Sequence, residues 1–474
     1  MNCRHISLCV VGAALVTASG LAFGGPPNRG GGAPVQAAGQ PTASTPLVRY
    51  VGRHGSNMEP GVAPAKDVAP VALHDGPVVQ LALLLDTSNS MDGLIDQAKA
   101  TLWAIVNELG TAKDERGRLV QLQVALYEYG NNAIPREVGF VRQRTPFTTD
   151  LDLLSEQLFG LRTWGGLEYC GQVISTAMHE LLWWGSECEA GTVGSGGIDP
   201  KEARTLEGAV KSAVRRGIEG PGQGEPAPMP MIAETVEGPV IRIIVIAGNE
   251  PFTQGTVAYQ DAIAEARSLG VVVNTIHCGP HGVGEETGWA DGARLGGGMY
   301  ASINQNRVIA QPKTPHDARL AELNEQLNAT YVGYGVHGAA LARRQVENDR
   351  LNSDAFLAPQ RAAAKASPQY DNRHWDLVDA VKTGTVELGE VEEESLPEPM
   401  QGLSVAERKA KIDALAEERK RLQGEILTVV HQRNQFIAER ASAEQGEQGL
   451  DDALVEALRE QVSARGLRVE RIEH

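Results

Sequence analysis

Aromatic side chains are scarce in this chain, 5% of 474 residues, while glycine numbers 53 and proline 25, so much of it must be loop or linker. Basic charge is also in short supply. Lysine and arginine total 43 against 60 aspartates and glutamates, a formal net charge of −17. That balance argues against nucleic acid and anionic membrane surfaces as main partners and favours cations or basic partners. No glycine-rich phosphate loop follows the first strand, so nucleotide binding lacks its fingerprint. What is present, 42% hydrophobic and 22% charged residues, suffices for one good core with polar extensions, and the length suggests two or three domains.

The segment 1–24 places Arg4 and His5 before an apolar run, Ile6–Phe23, that ends in small residues around Ala18 to Gly24. A basic region, a hydrophobic region and small residues near a cleavage point read as a secretory signal, hence a periplasmic or secreted protein. The run is nearly long enough to span a bilayer, so an uncleaved anchor is the alternative and the one membrane contact to expect. Cleavage removes Cys3 and Cys9 and leaves Cys170, Cys188 and Cys278, enough for at most one disulfide and a spare thiol. Residues 25–77, rich in Gly, Pro and Ala, read as a flexible tether.

Chemistry is concentrated in Val79–Met91. Leu81–Leu85 is apolar without alternation, which suits a parallel strand buried on both faces. The run stops at Asp86, and Asp86, Ser88 and Ser90 place three oxygen side chains on the loop at its carboxyl end. In open α/β sheets that edge is where ligands bind. One carboxylate and two hydroxyls suit a hard divalent cation, Mg²⁺ or Mn²⁺ rather than zinc. The plainer alternative is local: Asp and Ser are ordinary turn residues, and Ser90 or Asp92 can cap the following helix.

Strands and helices then alternate. Leu94–Leu109 repeats apolar residues at helical spacing and stops at Gly110, Leu119–Tyr127 alternates as a strand, and Glu137–Val141 is a short strand beside it. Helices are expected at Leu151–Leu158, Gln172–Trp184 and Ala258–Leu269, with strands at Ile243–Ala247, Val271–His277 and Met299–Ile303. The pattern predicts a doubly wound, mostly parallel α/β sheet over 78–303, with Leu81–Leu85, Ile243–Ala247 and Val271–His277 central and a surface insertion at 186–238.

The D-x-S-x-S spacing on a strand-to-helix loop resembles the metal-ion-dependent adhesion site of von Willebrand factor type A (VWA) domains. Longer stretches, Ala247-Gly-Asn-Glu-Pro-Phe-Thr-Gln-Gly255, Asn274-Thr-Ile-His-Cys-Gly279, Tyr370-Asp-Asn372 and Trp375-Asp-Leu377, resemble a group of bacterial secreted VWA-containing proteins. The resemblance implies a Thr from a second loop and an Asp from a third. Here Leu167 stands in the Thr place and Gly248 in the Asp place. Thr163 would substitute only if its loop were re-routed, whereas Glu168, Glu250 or Asn249 can supply the missing oxygen or charge. A partial site (Asp86, Ser88, Ser90, Glu168, Glu250) and a degenerate one both remain open. Its cation affinity is expected to be weak, about millimolar, because ligand charge is low. Cys170 and Cys278 both fall at the carboxyl edge, where they either pair or stay as buried thiols. His277 beside Cys278 does not make a Cys–His nucleophile, since strand neighbours point to opposite faces.

Beyond the sheet, 304–385 reads as a helical extension with helices at His316–Asn328, Ala339–Leu351 and Trp375–Val381, and 386–403 as an acidic linker. Ser404 and Glu407 form a capping box that opens a long helix in 404–474. Ile412, Leu415, Leu422, Ile426, Val429 and Phe436 repeat in steps of three and four, with Arg419, Arg433 and Arg440 on the same seam. That predicts a coiled coil or helical hairpin with Asp451–Arg465 folding back, or a single helix lying on the α/β domain.

The leading functional reading is a non-enzymatic binding or adhesion module: a cation at Asp86 leaves one coordination position for a carboxylate of an unknown protein ligand. A structural envelope or assembly factor acting through its helical tail is the alternative. A phosphotransferase using Asp86 as nucleophile is weaker, because Ser88 occupies the place where a second carboxylate is wanted.

Overall fold

The structure, a computed structural model, describes residues 76–184, 238–303, 313–352, 357–443 and 450–469. The expected signal and nearly all of the expected tether and insertion, Cys188 included, lie outside the described residues.

In chain order the elements begin with β1 (Val78–Asp86), α1 (Ile95–Leu109), β2 (Ala112–Asp114), β3 (Gln121–Tyr129), β4 (Val141–Thr148), α2 (Leu151–Gly160) and α3 (Cys170–Glu180). They continue with β5 (Val240–Gly248), α4 (Tyr259–Ser268), β6 (Val271–Cys278), α5 (His281–Glu286), α6 (Trp289–Gly296) and β7 (Gly297–Ile303). Six of these strands make one sheet in the order β4-β3-β1-β5-β6-β7, parallel throughout except for β4 against β3. With small β2 set aside, that is the doubly wound order, and the switch point lies between β1 and β5. The three expected central strands are all interior.

The apolar run of β1 is buried along its whole length because its alternate residues feed two cores. Val79, Leu81, Leu83 and Leu85 meet α1 and α2 on one face. Ala82 and Leu84 meet α3, α4 and Trp289 on the other. The strand expected at Glu137–Val141 begins only at Val141. Residues Arg136–Val138 form a 3-10 turn, and Gly139 and Phe140 both take positive φ (70° and 56°), which swings the chain back onto β3. Helix α3 stops at Glu180, short of the expected Trp184.

The remaining elements are α7 (Asp317–Asn328), α8 (Gly335–Leu351), α9 (Leu357–Ala366), α10 (Leu377–Lys382), α11 (Val405–Ala443), α12 (Leu450–Ser463) and β8 (Leu467–Val469). The capping box forms as expected: Ser404 N donates to Glu407 at 2.8 Å, and Glu407 N donates to Ser404 Oγ at 3.3 Å. The heptad seam of α11, however, packs onto its own chain and not into a coiled coil. Leu422, Ile426 and Val429 bury against Leu320, Leu323 and Leu327 of α7 and Ala362 of α9. Ile412 buries with Leu377 and Val378 of α10. The polar interruptions are ion pairs to the same neighbours, Arg419 to Asp376 and Asp379 (both 2.7 Å) and Arg433 to Asp317 (2.8 Å). Heptad spacing reports that one face needs a core, not whose core it is.

The acidic stretch 386–403 is fastened rather than a free linker, with Leu388, Leu396 and Met400 buried beside Ile412. Helix α12 does not fold back as the partner of α11. It lies on α1 and β7, its Leu458 and Val462 complete the core under α1, and β8 pairs antiparallel with β2. No described helix is long and apolar enough to cross a membrane.

Candidate functional site

Asp86, the last residue of β1, lies at the switch point with no exposed surface. Its Oδ1 accepts from the Ser88 amide at 2.8 Å, while its Oδ2 is buried without a hydrogen-bond partner. The two serines do not cap a helix. The residue at the α1 N-cap is Leu94, and no side chain caps there. Instead the Ser88 and Ser90 hydroxyls face each other at 2.8 Å, and Ser90 donates to Asn249 Oδ1 at 2.9 Å. Asp92, the other expected cap, accepts the Thr163 hydroxyl. Thr163 is therefore engaged away from Asp86 and does not replace the second-loop threonine.

The second loop is pinned across the first by backbone bonds. Trp164 N donates to Thr87 O at 2.9 Å, Gly165 N to Asn89 Oδ1 at 2.6 Å, and Asn132 N to Gly165 O at 2.7 Å. Gly166 is required by that approach, since a Cβ there would overlap the Gly130 carbonyl. The outcome is that Leu167 faces solvent while Glu168 turns inward and is buried. Around Gly130, the position of a Cβ would lie 2.8 Å from Asp86 Oδ1, 3.1 Å from Glu168 Cγ and 3.5 Å from Ser88 Cβ. Asp86, Ser88 and Glu168 thus converge on one spot.

The third loop explains the missing aspartate. A Cβ at Gly248 would overlap the Tyr129 hydroxyl and come within 3.0 Å of Asp86 Cβ. Tyr129, at the end of β3, donates to Ala247 O at 3.1 Å and fills the place a third-loop side chain would take. Asn249 binds back to the first loop, its Nδ2 donating to Ser90 O at 3.0 Å, and its own carbonyl lies 3.2 Å from His277 Nε2. Glu250 is half-buried, close enough to raise the Glu168 carboxyl electrostatically, and its carbonyl accepts from Trp289 Nε1 at 2.8 Å. Tyr129 and His277 are thus fitted into the site. Sequence reading missed Tyr129 because a tyrosine ending an apolar strand looks like core.

Burial pushes the Asp86 carboxyl up to about 7, and the nearby Glu168 adds to the shift, against the opposing pull of Ser88. The Asn249 amide favours the charged form from further off, outside hydrogen-bond geometry. Burial also raises Glu168, Glu250 raises it further, and the Ser88 and Gln254 side chains oppose this. Cys170 and Cys278 are both free and buried, their thiols pushed up by burial and by Asp86. They make no disulfide. No group of three His, Cys, Asp or Glu side chains suited to a metal occurs among the described residues. A mixed set of two carboxylates and two hydroxyls nevertheless fits a hard cation chemically, and the orphaned Asp86 oxygen is what such an ion would satisfy.

No family model and no curated protein matches the chain. Among solved structures it is similar to proximal thread matrix protein 1 (PTMP1) from the mussel byssus, at 10% identity and a TM-score of 0.29. That match takes in 50% of this chain, which spans 44% of the length of PTMP1. PTMP1 has also been solved with a zinc-occupied MIDAS motif. BatB from Bacteroides thetaiotaomicron matches 57% of this chain over 99% of its own, at 13% identity and a TM-score of 0.28. The SpRpn10 VWA domain matches 50% over 98% of its own, at 15% identity and a TM-score of 0.28. What the chain itself shows is the doubly wound sheet order. At these identities and TM-scores the chemistry of this sheet edge has to be argued from its own residues.

Proposed function

We propose that the chain is a protein-interaction module whose binding face is the carboxyl edge of the sheet, around Asp86. One observation carries the reading: a fully buried aspartate at the switch point keeps an oxygen without a partner, and the buried Glu168 is turned toward it. Two acidic groups raised by burial and by acidic neighbours are stabilised by a cation, and no described side chain supplies one there. Asp86, Ser88, Ser90 and Glu168 would hold Mg²⁺ or Mn²⁺, with Glu250 at the rim. The ion supplies positive charge and an open position for a carboxylate of the partner. The residues around it contribute the rest. The Tyr129 hydroxyl shapes the floor, Asn249 ties the third loop to the first, and Gly166 lets the second loop close down.

The proposed role is non-enzymatic and extracytoplasmic. Ser88 occupies the place where a phosphotransferase would want a second carboxylate, and residues 1–24, which lie outside the described residues, carry the sequence features of a secretory signal. In the alternative, where the tail makes the contacts, they would use the outer face of α11, since its apolar seam is buried on α7, α9 and α10.

Titrating the full chain with Mn²⁺ and following the loss of the free-ion electron paramagnetic resonance signal tests the reading. Weak saturable uptake that disappears in Asp86→Ala is expected. Uptake unaffected by that substitution places the ion elsewhere and removes the proposal.

A further inference from the structure

Beside the Asp86 cluster, at the β4 edge of the sheet, lies a cavity of about 450 Å³ whose charge is opposite to that of the molecule. Arg142, Arg144 and Arg162 line it together with Glu128, Asn131 and Trp164. Arg142 and Arg144 stand two apart on β4 and so share a face. Both meet the same carboxylate, Glu128, at 3.5 and 3.2 Å. Arg162 comes from the loop after α2 and donates to the carbonyls of Phe159 and Leu161, at 3.0 and 2.9 Å. Three guanidiniums against one carboxylate leave the cavity positive in a chain of formal charge −17.

Charged side chains on an edge strand also discourage stray strand pairing. That role accounts for Arg142 and Arg144. It does not account for Arg162 and Trp164, which a different loop brings to the same cavity and which are exposed, Trp164 at 60%. The loop carrying them is the one that closes over Asp86: Trp164 N bonds to Thr87 O, and Asn131 Nδ2 bonds to both Thr87 Oγ1 (3.3 Å) and Arg162 O (3.1 Å). The cavity and the cation-type site therefore share a wall.

We propose that this cavity is a second subsite for the same partner, an acidic polypeptide segment that places one carboxylate at the Asp86 site and another among the three arginines. The inference rests on the reading of Asp86 given above. Register sets the spacing. Asp86 pairs with Tyr129, and Tyr129 with Val141, next to Arg142, so the subsites are two strand spacings apart, about 10 Å. A peptide in the extended polyproline II conformation has three residues per turn and rises about 3.1 Å per residue, so side chains three positions apart share a face about 9 Å apart, and the recognised feature is a pair of acidic side chains three positions apart. A guanidinium pairs with a carboxylate through two parallel bonds, and the Trp164 ring offers apolar cover for the stem between them. A long polyanion such as nucleic acid is disfavoured, because the acidic surface outside the cavity repels it.

The test uses the full chain and two fluorescein-labelled, end-blocked peptides, Ala-Glu-Ala-Ala-Glu-Ala and the same sequence with one glutamate replaced by glutamine. Anisotropy is followed in millimolar Mg²⁺ at low salt. The two-glutamate peptide is expected to bind about tenfold more tightly, as one added charge pair would give. The variant R142Q/R162Q should erase that advantage while leaving Mn²⁺ uptake at the Asp86 site unchanged. R162Q alone, at an exposed position, should show part of the loss if the double variant melts early. Equal binding of both peptides by the wild type, or an advantage that survives R142Q/R162Q, overturns the proposal. So does an oligothymidylate of matched charge that competes as well as the peptide. If Asp86→Ala leaves the single-glutamate affinity intact while the arginine variants still lose theirs for the second glutamate, the cation reading fails and the arginine subsite stands.

Discussion

Asp86 and Asp152 are both almost wholly removed from water, and the chain treats them in opposite ways. Asp152, on α2, meets the Arg361 guanidinium and accepts from Tyr370 Oη at 2.8 and 2.9 Å. Arg361 also reaches Asp349 at 3.0 Å, and Asp349 holds Lys365 at 2.6 Å. This clasp ties the α/β sheet to α8 and α9 and is satisfied but for Arg361 Nη1. Asp86 has the same burial, and among the described residues no cationic side chain pairs with it. A buried carboxylate supplied with its own counter-charges is a structural joint. One left beside a second buried carboxylate costs stability, and the cation proposed above would offset that cost.

The largest effect should come from breaking the joint. Asp152→Ala strands Arg361 beside a lost partner and should destabilise the fold by about 3–5 kcal/mol, read as a large fall in denaturation midpoint. The opposite sign is expected at the other aspartate. Asp86 is raised from 3.8 to about 7, so its folded form holds a proton that the unfolded chain releases between those values. Stability from this group is full below pH 3.8 and is lost as pH rises through 7. Asp86→Asn should therefore stabilise the metal-free protein at pH 8, by up to about 4 kcal/mol, and the gain should shrink steadily as pH falls toward 4. A melt series at several pH values in chelator checks the sign. Equal melting of the two proteins at pH 8 would mean that the two aspartates do not differ.

Smaller effects sharpen the contrast inside the site. Gly248→Ala pushes a Cβ into the Tyr129 hydroxyl and should cost about 1–3 kcal/mol. Tyr129→Phe, which removes that hydroxyl, should recover part of the loss in a double-mutant cycle. Ser90→Ala removes one hydroxyl from a partly exposed pair and should change stability by no more than about 1 kcal/mol, while lowering cation uptake clearly.

The sheet was legible because a parallel strand buried on both faces is largely apolar, as Leu81–Leu85 and Ile243–Ala247 are throughout and Val271–His277 is at its start, before the buried Asn274 and Thr275. Edge strand β4 was not, since Arg142, Gln143, Arg144 and Pro146 carry no apolar run and its start depends on positive φ at Gly139 and Phe140. Helix α9 escaped notice because Arg361 and Lys365 look like surface residues, and only the clasp explains their burial. The α11 seam was legible as a buried stripe but not in its partners, and the pairing of β8 with β2 joins residues too distant for any local pattern. At the site, Asp86, Ser88 and Ser90 could be read from spacing. Glu168 could be suspected from charge, but its inward turn depends on Gly166 packing on Gly130, a contact between loops. The Tyr129 hydroxyl in the place of a third-loop side chain had no sequence signal at all.

The most direct measurement of the central claim is calorimetric melting at pH 8 of the wild type and Asp86→Asn, each with and without millimolar Mg²⁺. The account predicts that the wild type melts below the variant in chelator and gains with the ion, and that the variant does not respond. A wild type indifferent to Mg²⁺ and Mn²⁺, or a variant that gains as much as the wild type, would contradict it.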